Sequence, residues 1–531
     1  MHRRNSEKSQ RAYGGRPRSL SSLSTVDWFG LACLILMVAC SIILFIRLMS
    51  TGMMTGALIA ILVAVLLVFN GAHLLVQLRR PQLPKLICGI VAILLSGVMI
   101  YMVSVAGAMQ SALMAISGKL LEQETTYVVV LKDDAAADIG DTVDYRFGSL
   151  SHADEENTAA LLEAVKDGFG TLNNTSYDTV TQLATALLNK EVDAILINQG
   201  YLTLLESTEE YATFADQTRI LYEFTSTKEV APIQPNPSIT REPFVVYCSG
   251  IDARNTDVTV TSLSDVNIMA VVNPKTHEIL LINTPRDYYV ELVSEPYTGQ
   301  MDKLTHAGGL GIEESMKVLS NLYDVEATYY ARVNFTGLVD IVDALGGIDV
   351  YSDYDFTAYG MRDHLGGDDY AYHYTEGLNH LDGWAALAFA RERSSFPDGD
   401  NQRGKNQMAV IEGIVNKAIS PQILSSYADV LKAVEGCFVT NMHYEDISAL
   451  VKMQLRDMSG WNITTYSVTG YNDAQPCATV GDGVSYYVMS PNEESVETAK
   501  AMIQQVINGS SSSNNTSNDA DNSTSDNNTQ E

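Results

Sequence analysis

An apolar stretch at residues 244–251, Phe-Val-Val-Tyr-Cys-Ser-Gly-Ile, gives the first indication of the fold of the larger part of this chain. A second apolar run occupies 266–272, and a third occupies 278–283 and leads into Thr-Pro-Arg-Asp at 284–287. Short runs rich in β-branched residues and bounded by polar turn residues are typical of buried strands. The three runs therefore predict strands of one sheet in an α/β fold.

Two acidic residues and one arginine stand at the ends of these runs. Asp252 closes the first run, and Asp265 opens the second. Strand-end carboxylates can meet at one rim of a sheet, and their hard oxygen ligands suit Mg²⁺ (or Mn²⁺) that holds a phosphate. Arg286 follows the third run, where α/β sheets usually bind their ligands. A turn aspartate or a surface arginine is commonly structural, so both interpretations stay open at this point.

More cations follow along the chain. Helical spacing places Arg391 and Arg393 about 200° apart, whereas an extended chain after Phe389 directs both to one side. Guanidinium groups on one face bind phosphate oxygens in bidentate fashion. Arg403 and Gln407 are neighbours on one helix face. This set suits a diphosphate with Mg²⁺ better than a neutral sugar, and the alternative is a set of structural salt bridges.

The overall charge excludes one large class of partners. The chain has 531 residues, in which 64 acidic residues outnumber 34 basic ones and give a net charge of −30. A nucleic-acid-binding surface needs clustered Lys and Arg, so we expect no nucleic-acid partner. The sequence also lacks the HExxH, GxxxxGK[ST], GxSxG and CxxC signatures of familiar catalytic sites.

The N-terminal part predicts a membrane anchor. Three apolar runs, Trp28–Leu48, Met53–Leu75 and Leu86–Ala108, match the roughly 20 residues that a membrane-spanning helix needs. The tail before them and the loop at 79–85 are rich in Arg and Lys. By the positive-inside rule both are cytoplasmic, so the larger C-terminal part is expected outside the cell in a multi-pass membrane protein.

Composition divides the rest of the chain. Strand-like and helix-like runs alternate between residues 120 and 230 and predict a small α/β accessory domain. Alternate prolines from Ala231 onwards favour an extended connector, and the Asn- and Ser-rich end favours disorder. The predicted segments are a cytoplasmic tail (1–27), three transmembrane helices (28–116), the accessory domain (120–230), a Pro-rich linker (231–239), the large domain (240–507) and a disordered tail (508–531).

The exported cysteines leave one question open. Disulfides form readily outside the cell, and Cys437 and Cys477 are candidates for a pair, although spacing alone cannot decide it. Cys248 lies within the first apolar run and is predicted to be a core residue.

The large domain resembles a known family in several ordered blocks. These blocks are Gly250–Asp252, Ser264–Ile268, Val272–Thr276, Thr284–Asp287, Lys303–Gly308, Val333–Phe335, Val342–Val350, Leu381–Gly383, Arg391–Arg393 and Arg403–Gln407. Their order and spacing resemble the LytR–CpsA–Psr (LCP) family. Three membrane helices and a small domain before the LCP domain also look like the capsule-attaching branch of that family.

The resemblance implies a cell-wall ligase with a central mixed sheet flanked by helices. Such enzymes transfer a glycopolymer, such as capsule or teichoic acid, from a polyprenyl diphosphate carrier to peptidoglycan. It implies that Asp252 and Asp265 hold Mg²⁺ against the diphosphate, and that the lipid tail lies in an apolar tunnel between sheet and helices. The phosphates would be bound or polarised by Arg286, Arg391, Arg393, Arg403 and Gln407.

One position departs from the family pattern. The family usually has Arg before the Ser-Asp pair, and here Leu263 precedes Ser264 and Asp265. A phosphate-binding cation is therefore missing, and Arg254 is the nearby residue that would substitute for it. The departure favours lower activity, an altered substrate or a mainly binding role.

Two other functions compete with the ligase. A non-catalytic polyprenyl-phosphate sensor or scaffold would bind the same lipid without turning it over. A transcriptional regulator conflicts with the predicted topology, because the cytoplasmic segments are too short for a DNA-binding domain. The sequence leaves open the general base, the polymer and the acceptor sugar. It also leaves open whether the accessory domain binds glycan, dimerises or acts, as we favour, as a spacer or assembly element.

Overall fold

The computed structural model describes most of the chain. The described residues are 24–117, 120–169, 173–230, 233–251, 258, 261–362, 369–397, 399–420, 429–430, 432–434 and 436–509. The chain divides into two compact units: one takes in residues up to Ala112 together with Val451–Arg456, and the other takes in the rest. Asp252, Arg254 and most of both predicted terminal tails lie outside the described residues.

Three apolar helices begin the chain: α1 (Thr25–Ser50), α2 (Gly56–Gln77) and α3 (Gln82–Ser117). They contain 26, 22 and 36 residues, and all three are long and apolar enough to cross a membrane. The three predicted apolar helices are therefore confirmed. Asn70 Nδ2 donates a hydrogen bond to Ser41 Oγ at 2.9 Å, a polar contact of the kind that joins helices in lipid.

The accessory domain is a five-stranded sheet with helices on both faces. Its strands are β1 (Leu120–Leu131), β2 (Arg146–Leu150), β3 (Asn173–Tyr177), β4 (Ala194–Asn198) and β5 (Thr218–Val230), and its helices are α4 (Glu155–Phe169), α5 (Val180–Leu188), α6 (Gln199–Ser207) and α7 (Phe214–Gln217). The strand order is β3-β2-β4-β1-β5. Every residue of β4 is buried, because its alternate side chains enter the two cores on opposite faces.

The large domain is built on a six-stranded mixed sheet. Its strands are β6 (Phe244–Ile251), β7 (Ser264–Asn273), β8 (Glu278–Asn283), β11 (Tyr329–Asn334), β16 (Phe438–Thr440) and β17 (Asn462–Ser467). The order is β16-β11-β6-β7-β8-β17. β7 is antiparallel to β6 and β8, whereas β11 runs parallel to β6 and β17 parallel to β8. The three strands expected from the apolar runs are confirmed, and so is the mixed α/β fold.

Helices cover both faces of this sheet. They are α8 (Leu304–Gly309), α9 (Ile312–Tyr323), α10 (Phe335–Ala344), α11 (Gly383–Arg391), α12 (Gly399–Ala418), α13 (Tyr444–Asp457) and α14 (Glu493–Asn508). On one face Tyr247 and Met269 share a core with α8, α9 and α14. On the other face Ile268 and Leu281 pack against α12, and α10 and α11 share a further core with α12. The alternation along each strand sets which side chains face which core.

Four antiparallel strand pairs complete the large domain. They are β9 (Tyr289–Glu291) with β10 (Met301–Lys303), β12 (Ile348–Ser352) with β15 (Gly377–Leu381), β13 (Phe356–Arg362) with β14 (Asp369–Tyr374), and β18 (Gly470–Pro476) with β19 (Ser485–Pro491).

The Pro-rich connector is irregular at the start of its described part and turns at its end. Residues 233–236 have no regular secondary structure, and the chain turns over residues 237–241. Asn236 causes the turn, because its side-chain Oδ1 accepts a hydrogen bond from the Ser238 N–H at 2.9 Å and its carbonyl accepts one from the Ile239 N–H at 3.0 Å. Ile239 is then buried in a core of the large domain.

All six cysteines are free thiols. The suggested Cys437–Cys477 disulfide is therefore not formed in this structure. Cys437 packs against the backbone of Gly337, whereas Cys477 lies in a separate core beside Val480.

Candidate functional site

A cavity of about 440 Å³ lies on the α12 side of the large sheet. Strand direction explains its position. Because β7 runs antiparallel to both of its neighbours and β11 runs parallel to β6, Gly250, Asp265 and Asn334 lie at one edge of the sheet with Arg286, which follows β8. All four residues line the cavity. Ligands usually bind at such an edge in α/β sheets.

The interior of the cavity is apolar. Side chains from the sheet and from α10 and α12 line it, among them Val266, Val333, Leu338, Ile341, Val410 and Ile414. Cys248 also lines the cavity, and burial raises the pKa of its thiol to about 12. The thiol is therefore neutral at physiological pH and behaves as an apolar lining group. Cys248 packs against the core of the large domain, as predicted, and also forms part of the cavity wall.

The mouth of the cavity carries most of the residues that the sequence singled out. Asp265, Arg286, Arg391, Arg393, Arg403 and Gln407 all line it. Asp252, the remaining candidate, lies outside the described residues. Six side chains from four separate segments thus converge on one opening, where they face an apolar interior.

Arg286 is held by carboxylates on two sides. Its Nη1 donates to Asp265 Oδ1 at 2.8 Å, and its Nε lies 3.5 Å from Asp287 Oδ2. Lys303 Nζ lies 3.5 Å from the other oxygen of Asp287. The Asp265 and Arg286 side chains are 25% and 32% exposed, so both remain reachable from the cavity. The ion pair fixes the guanidinium at the edge of the sheet instead of leaving it in solvent.

Arg391 and Arg393 reach the mouth through the end of α11. The helix begins at an Asp382 N-cap, whose carboxylate accepts the Ala385 N–H, and ends at Arg391. It therefore runs two residues beyond Phe389, the residue after which an extended chain was one of the two alternatives considered. Glu392 has φ −65° and ψ 130°, and this extended residue lets both arginines line the same cavity.

Arg391 also contacts an aromatic ring that the sequence analysis did not single out. Its Cζ lies 4.5 Å from the centroid of the Phe335 ring. Phe335 is the first residue of α10 and lines the same cavity. A guanidinium stacked on an aromatic face keeps its edge N–H groups available for an anion.

Arg403 and Gln407 lie on one face of α12, as their spacing predicts. Two contacts fix this helix. Asn406 Nδ2 donates to the Phe389 carbonyl at 3.1 Å, which ties α12 to α11. A Cβ on Gly404 would lie 2.2 Å from Asn283 Nδ2, so the absence of a side chain lets the helix approach β8.

A buried polar network lies behind Asp265, and sequence reasoning missed it. Ser264 Oγ is 2.8 Å from Ser249 Oγ and 3.2 Å from Tyr247 OH, and Tyr247 donates to Asn267 Oδ1 at 2.6 Å. All four residues are at least 98% buried. The signal in the sequence was the polar residues within two otherwise apolar strands: Tyr247 and Ser249 at alternate positions of β6, and Ser264 and Asn267 in β7. The network fixes the start of β7 and so the residue that follows it, Asp265.

A second cluster of titratable groups has a structural explanation. Ligand atoms of Asp302, His306 and Cys477 lie within 4.8 Å of one another. Both carboxylate oxygens of Asp302 already accept hydrogen bonds: Oδ1 from the Lys303 N–H and His306 Nδ1, and Oδ2 from the Thr479 N–H and hydroxyl. These contacts join α8 to the segment after β18 and leave no carboxylate lone pair for a metal ion.

The donor set at the cavity mouth is compatible with a magnesium ion. Asp265 Oδ1 is engaged by Arg286, and Oδ2 accepts no hydrogen bond from the described part of the chain. A carboxylate oxygen that faces a cleft is the ligand type that Mg²⁺ prefers. The second expected ligand, Asp252, follows directly after β6, whose end lies beside Ser264 in the sheet.

The sequence is similar to proteins of one known family. The LytR_cpsA_psr family model matches residues 208–503. The chain is 34% identical over 212 residues to a Bacillus anthracis protein named polyisoprenyl-teichoic acid–peptidoglycan teichoic acid transferase TagU, covering 40% of this chain and 64% of that protein. An Enterococcus faecalis protein of the same name is 31% identical over 254 residues, which cover 48% of this chain and 77% of that relative. The match thus spans less than two thirds of the Bacillus anthracis protein.

Solved structures provide further matches. Bacillus subtilis TagV has 23% identity, covers 50% of this chain and 98% of its own, and gives a TM-score of 0.41. A structure described as TagT bound to LI-WTA has 23% identity, covers 52% of this chain and 94% of its own, and gives a TM-score of 0.39. On the extent of the family match, which takes in more than half of the sequence, the chain belongs to the LytR–CpsA–Psr family.

Proposed function

We propose that this chain is a membrane-anchored phosphotransferase that moves a glycopolymer from a polyprenyl diphosphate carrier to peptidoglycan. One observation carries the proposal: an apolar cavity of about 440 Å³ opens through a mouth lined by four arginines. A ligand that satisfies both parts has an apolar chain joined to a multiply charged anion. A polyprenyl diphosphate has this chemistry, and the names of the relatives point to the same class of donor.

The arginines bind and neutralise the diphosphate in this proposal. Arg286 is anchored by Asp265 and Asp287, and Arg391 is stacked on Phe335, so both guanidinium groups are positioned before the donor arrives. Preorganised charge of this kind stabilises a phosphoryl transition state because little reorganisation remains at the moment of reaction. Arg393, Arg403 and Gln407 supply further donors around the same opening.

Asp265 and Asp252 are the proposed holders of Mg²⁺. When bound, the metal ion would neutralise charge on the diphosphate oxygens and orient them. Asp265 would also keep its hydrogen bond from Arg286 Nη1, so that the same carboxylate serves the ion and the guanidinium.

The proposed transfer forms one phosphorus–oxygen bond and breaks another. A hydroxyl oxygen of a peptidoglycan sugar forms a bond to the phosphorus that carries the glycopolymer, and the bond from that phosphorus to the bridging oxygen of the diphosphate breaks. Polyprenyl phosphate leaves with the bond electrons, and the hydroxyl proton passes to a base. The product is a phosphodiester, so the reaction needs no oxidant or reductant.

Membrane anchoring would keep the enzyme in the same membrane as the proposed donor. We propose that the N-terminal tail is cytoplasmic and the large domain extracellular, following the basic residues of the tail and of the loop at 79–85. A polyprenyl carrier is held in the bilayer by its own chain, so an enzyme anchored in the same membrane meets it within the leaflet.

The test is transfer by the purified full-length protein. It would be incubated in detergent with a synthetic polyprenyl diphosphate oligosaccharide, peptidoglycan oligomers and Mg²⁺, and mass spectrometry would follow the conjugate and the released polyprenyl phosphate. We expect a phosphodiester-linked conjugate from the wild type and a loss of at least about a hundredfold with Arg286→Ala. Arg241→Ala is the matched control, because Arg241 is exposed and does not line the cavity.

Each outcome assigns a function. A conjugate that disappears with Arg286→Ala but persists with Arg241→Ala supports the ligase. Donor binding without any conjugate, in parallel with an active relative, contradicts the ligase and supports a sensor or scaffold. Donors carrying capsule-type and teichoic-acid-type oligosaccharides, run side by side, identify the polymer class.

A further inference from the structure

Leu263 stands two residues before Asp265, at the position where the family resemblance calls for a cation. It does not line the arginine-rich cavity. Its side chain instead packs against the hydrophobic core of the accessory domain, as do Tyr297 and Leu310 of the large domain. The residue that interrupts the phosphate-binding pattern is therefore a contact between two domains.

A hydrogen bond supports the same contact. Thr261 Oγ1 donates to Glu124 Oε1 at 2.6 Å. Glu124 belongs to β1 of the accessory domain, and its other oxygen accepts Asn198 Nδ2 at 3.2 Å. Thr261 is 7% exposed and Glu124 is partly buried, so this bond lies in a partly buried part of the domain contact.

The backbones of the two domains also meet closely here. A Cβ on Gly200, at the start of α6, would lie 2.5 Å from the carbonyl oxygen of Gly309 and 3.2 Å from Thr261 Cγ2. A Cβ on Gly309 would lie 3.3 Å from Leu263 Cδ2. The missing side chains thus let α6 approach both α8 and the residues before β7.

The contact lies next to the transfer site along the chain. Ser264 follows Leu263 and is fully buried, with its hydroxyl in contact with Ser249 and Tyr247. Asp265 comes next, and its Oδ1 accepts a hydrogen bond from Arg286 Nη1. Ser264 alone separates Leu263 from Asp265, and Thr261 lies two residues before Leu263. A shift of either residue therefore reaches Asp265 along a short stretch of chain.

We propose that the accessory domain positions the transfer site, with Leu263 and Thr261 as the positioning residues that hold Asp265 against Arg286. This inference rests on the proposed function, since transfer is one of its readouts. A simple spacer would need no contact with these residues. The second point of contact, where Thr181 Oγ1 donates to the Val480 carbonyl at 3.2 Å, fixes the domain at another place on the same junction.

The experiment compares two threonine hydroxyls of this junction in the full-length protein. Thr261→Val removes the bond beside Asp265, and Thr181→Val removes the bond to Val480. We expect Thr261→Val and Leu263→Ala to lower kcat about tenfold while the donor KM changes less than about twofold, because geometry at the reacting centre is lost and most donor contacts are kept. Thr181→Val is expected to retain wild-type kcat, whatever its effect on Tm.

Hydrogen exchange provides a readout that does not depend on turnover. Exchange at residues 261–266 should quicken in Thr261→Val and Leu263→Ala and stay unchanged in Thr181→Val. Leu263→Met, which keeps an apolar side chain of similar volume, should restore both kcat and slow exchange. Leu263→Arg should lose activity, because a guanidinium that enters an apolar core without a partner is unfavourable.

Three results would overturn the proposal. One is wild-type kcat and exchange in Thr261→Val and Leu263→Ala. Another is an equal loss of kcat in Thr181→Val, which would show that the domain contact affects only the general stability of the protein. The last is a gain in activity with Leu263→Arg, which would assign this position to phosphate binding. If the wild type forms no conjugate, the proposed function fails, and the exchange rates still decide whether the accessory domain holds Asp265.

Discussion

At the scale of single residues, the surroundings of Arg391 fix the orientation of its guanidinium group. It ends α11 and lies 4.5 Å from the Phe335 ring, so its planar group is oriented before a phosphate binds. We expect Arg391→Lys to lower transfer about tenfold, because lysine keeps the charge without the bidentate geometry. Arg391→Ala should lower transfer about a hundredfold or more. Steady-state rates of the purified variants measure both.

The relative activity of the lysine and alanine variants distinguishes a bidentate role of Arg391 from a role of its charge alone. Circular dichroism and Tm should match the wild type, because Arg391 is exposed at the cavity mouth. Equal activity of the lysine and alanine variants would contradict a bidentate role, and wild-type activity of both would remove Arg391 from the site.

Asp154 of the accessory domain predicts a pH dependence. Burial, reinforced by the charge of Glu124, raises its pKa from 3.8 to about 7. Its Oδ1 accepts hydrogen bonds from Asn157 and Asn198, and its buried Oδ2 has no partner among the described residues. The folded carboxyl keeps its proton between these two pKa values, whereas the unfolded carboxyl releases it. The free energy of unfolding therefore falls as pH rises from about 4 to 7 and levels off above.

Asp154→Asn should remove this decline. An amide reproduces the neutral carboxyl, so the Tm of the variant should exceed that of the wild type at pH 8 and approach it at pH 5, roughly on either side of the raised pKa. Thermal melts across this range measure the difference. The same pH slope in both proteins would show that Asp154 does not titrate in this way.

At the scale of elements, the approach of α11 to α10 depends on a glycine. A Cβ on Gly383, the first residue of α11, would lie 2.3 Å from the carbonyl oxygen of Val339 in α10. We expect Gly383→Ala to lower the free energy of unfolding by about 1–3 kcal/mol, because backbone atoms have to move apart. It should also lower transfer, since α11 carries Arg391. Gly460→Ala is the control, with nothing within 4 Å of the added carbon, and equal stability of the two variants would contradict the argument.

The elements of the site were predictable where the sequence pattern is local. The runs at 244–251, 266–272 and 278–283 are apolar and end in polar residues, so their strands followed directly. Arg286 was found because it comes just after a strand. The junction at Leu263 was not predictable, because Thr261 and its partner Glu124 are separated by 137 residues. Likewise, Ser249, Ser264 and Asn267 show their common network only once β6 and β7 are paired.

At the scale of the whole molecule, an acidic chain contains one local cluster of arginines and three apolar helices. The net charge of the chain is −30, and nearly all of its acidic residues follow the membrane helices, whereas four arginines of the large domain collect at one opening. An acidic exterior repels anionic polymers in general, so binding of an anionic donor depends on that local cluster. Three apolar helices anchor this arrangement to a membrane.

The proposed topology predicts which part of the molecule a protease reaches. In cells stripped of their wall, an added protease should degrade the large domain and leave a fragment containing α1–α3. An antibody to an N-terminal tag would detect this fragment, since the tail is cytoplasmic in the proposal. A cytoplasmic protein probed in parallel controls for lysis. A large domain that survives until the membrane is permeabilised would reverse the assigned sidedness.

The pairing of β1 with β5 has a mechanical consequence. The chain enters the accessory sheet at Leu120 and leaves it at Val230, and these two residues face each other in the ladder. Tension between α3 and the connector would therefore separate the two strands from this end. The residue pairs of the ladder would break one after another instead of all together. After four rungs the opening reaches Glu124, the partner of Thr261. Opening of the ladder to this point would break the Thr261–Glu124 hydrogen bond and so remove a contact between the accessory domain and the residues before Asp265.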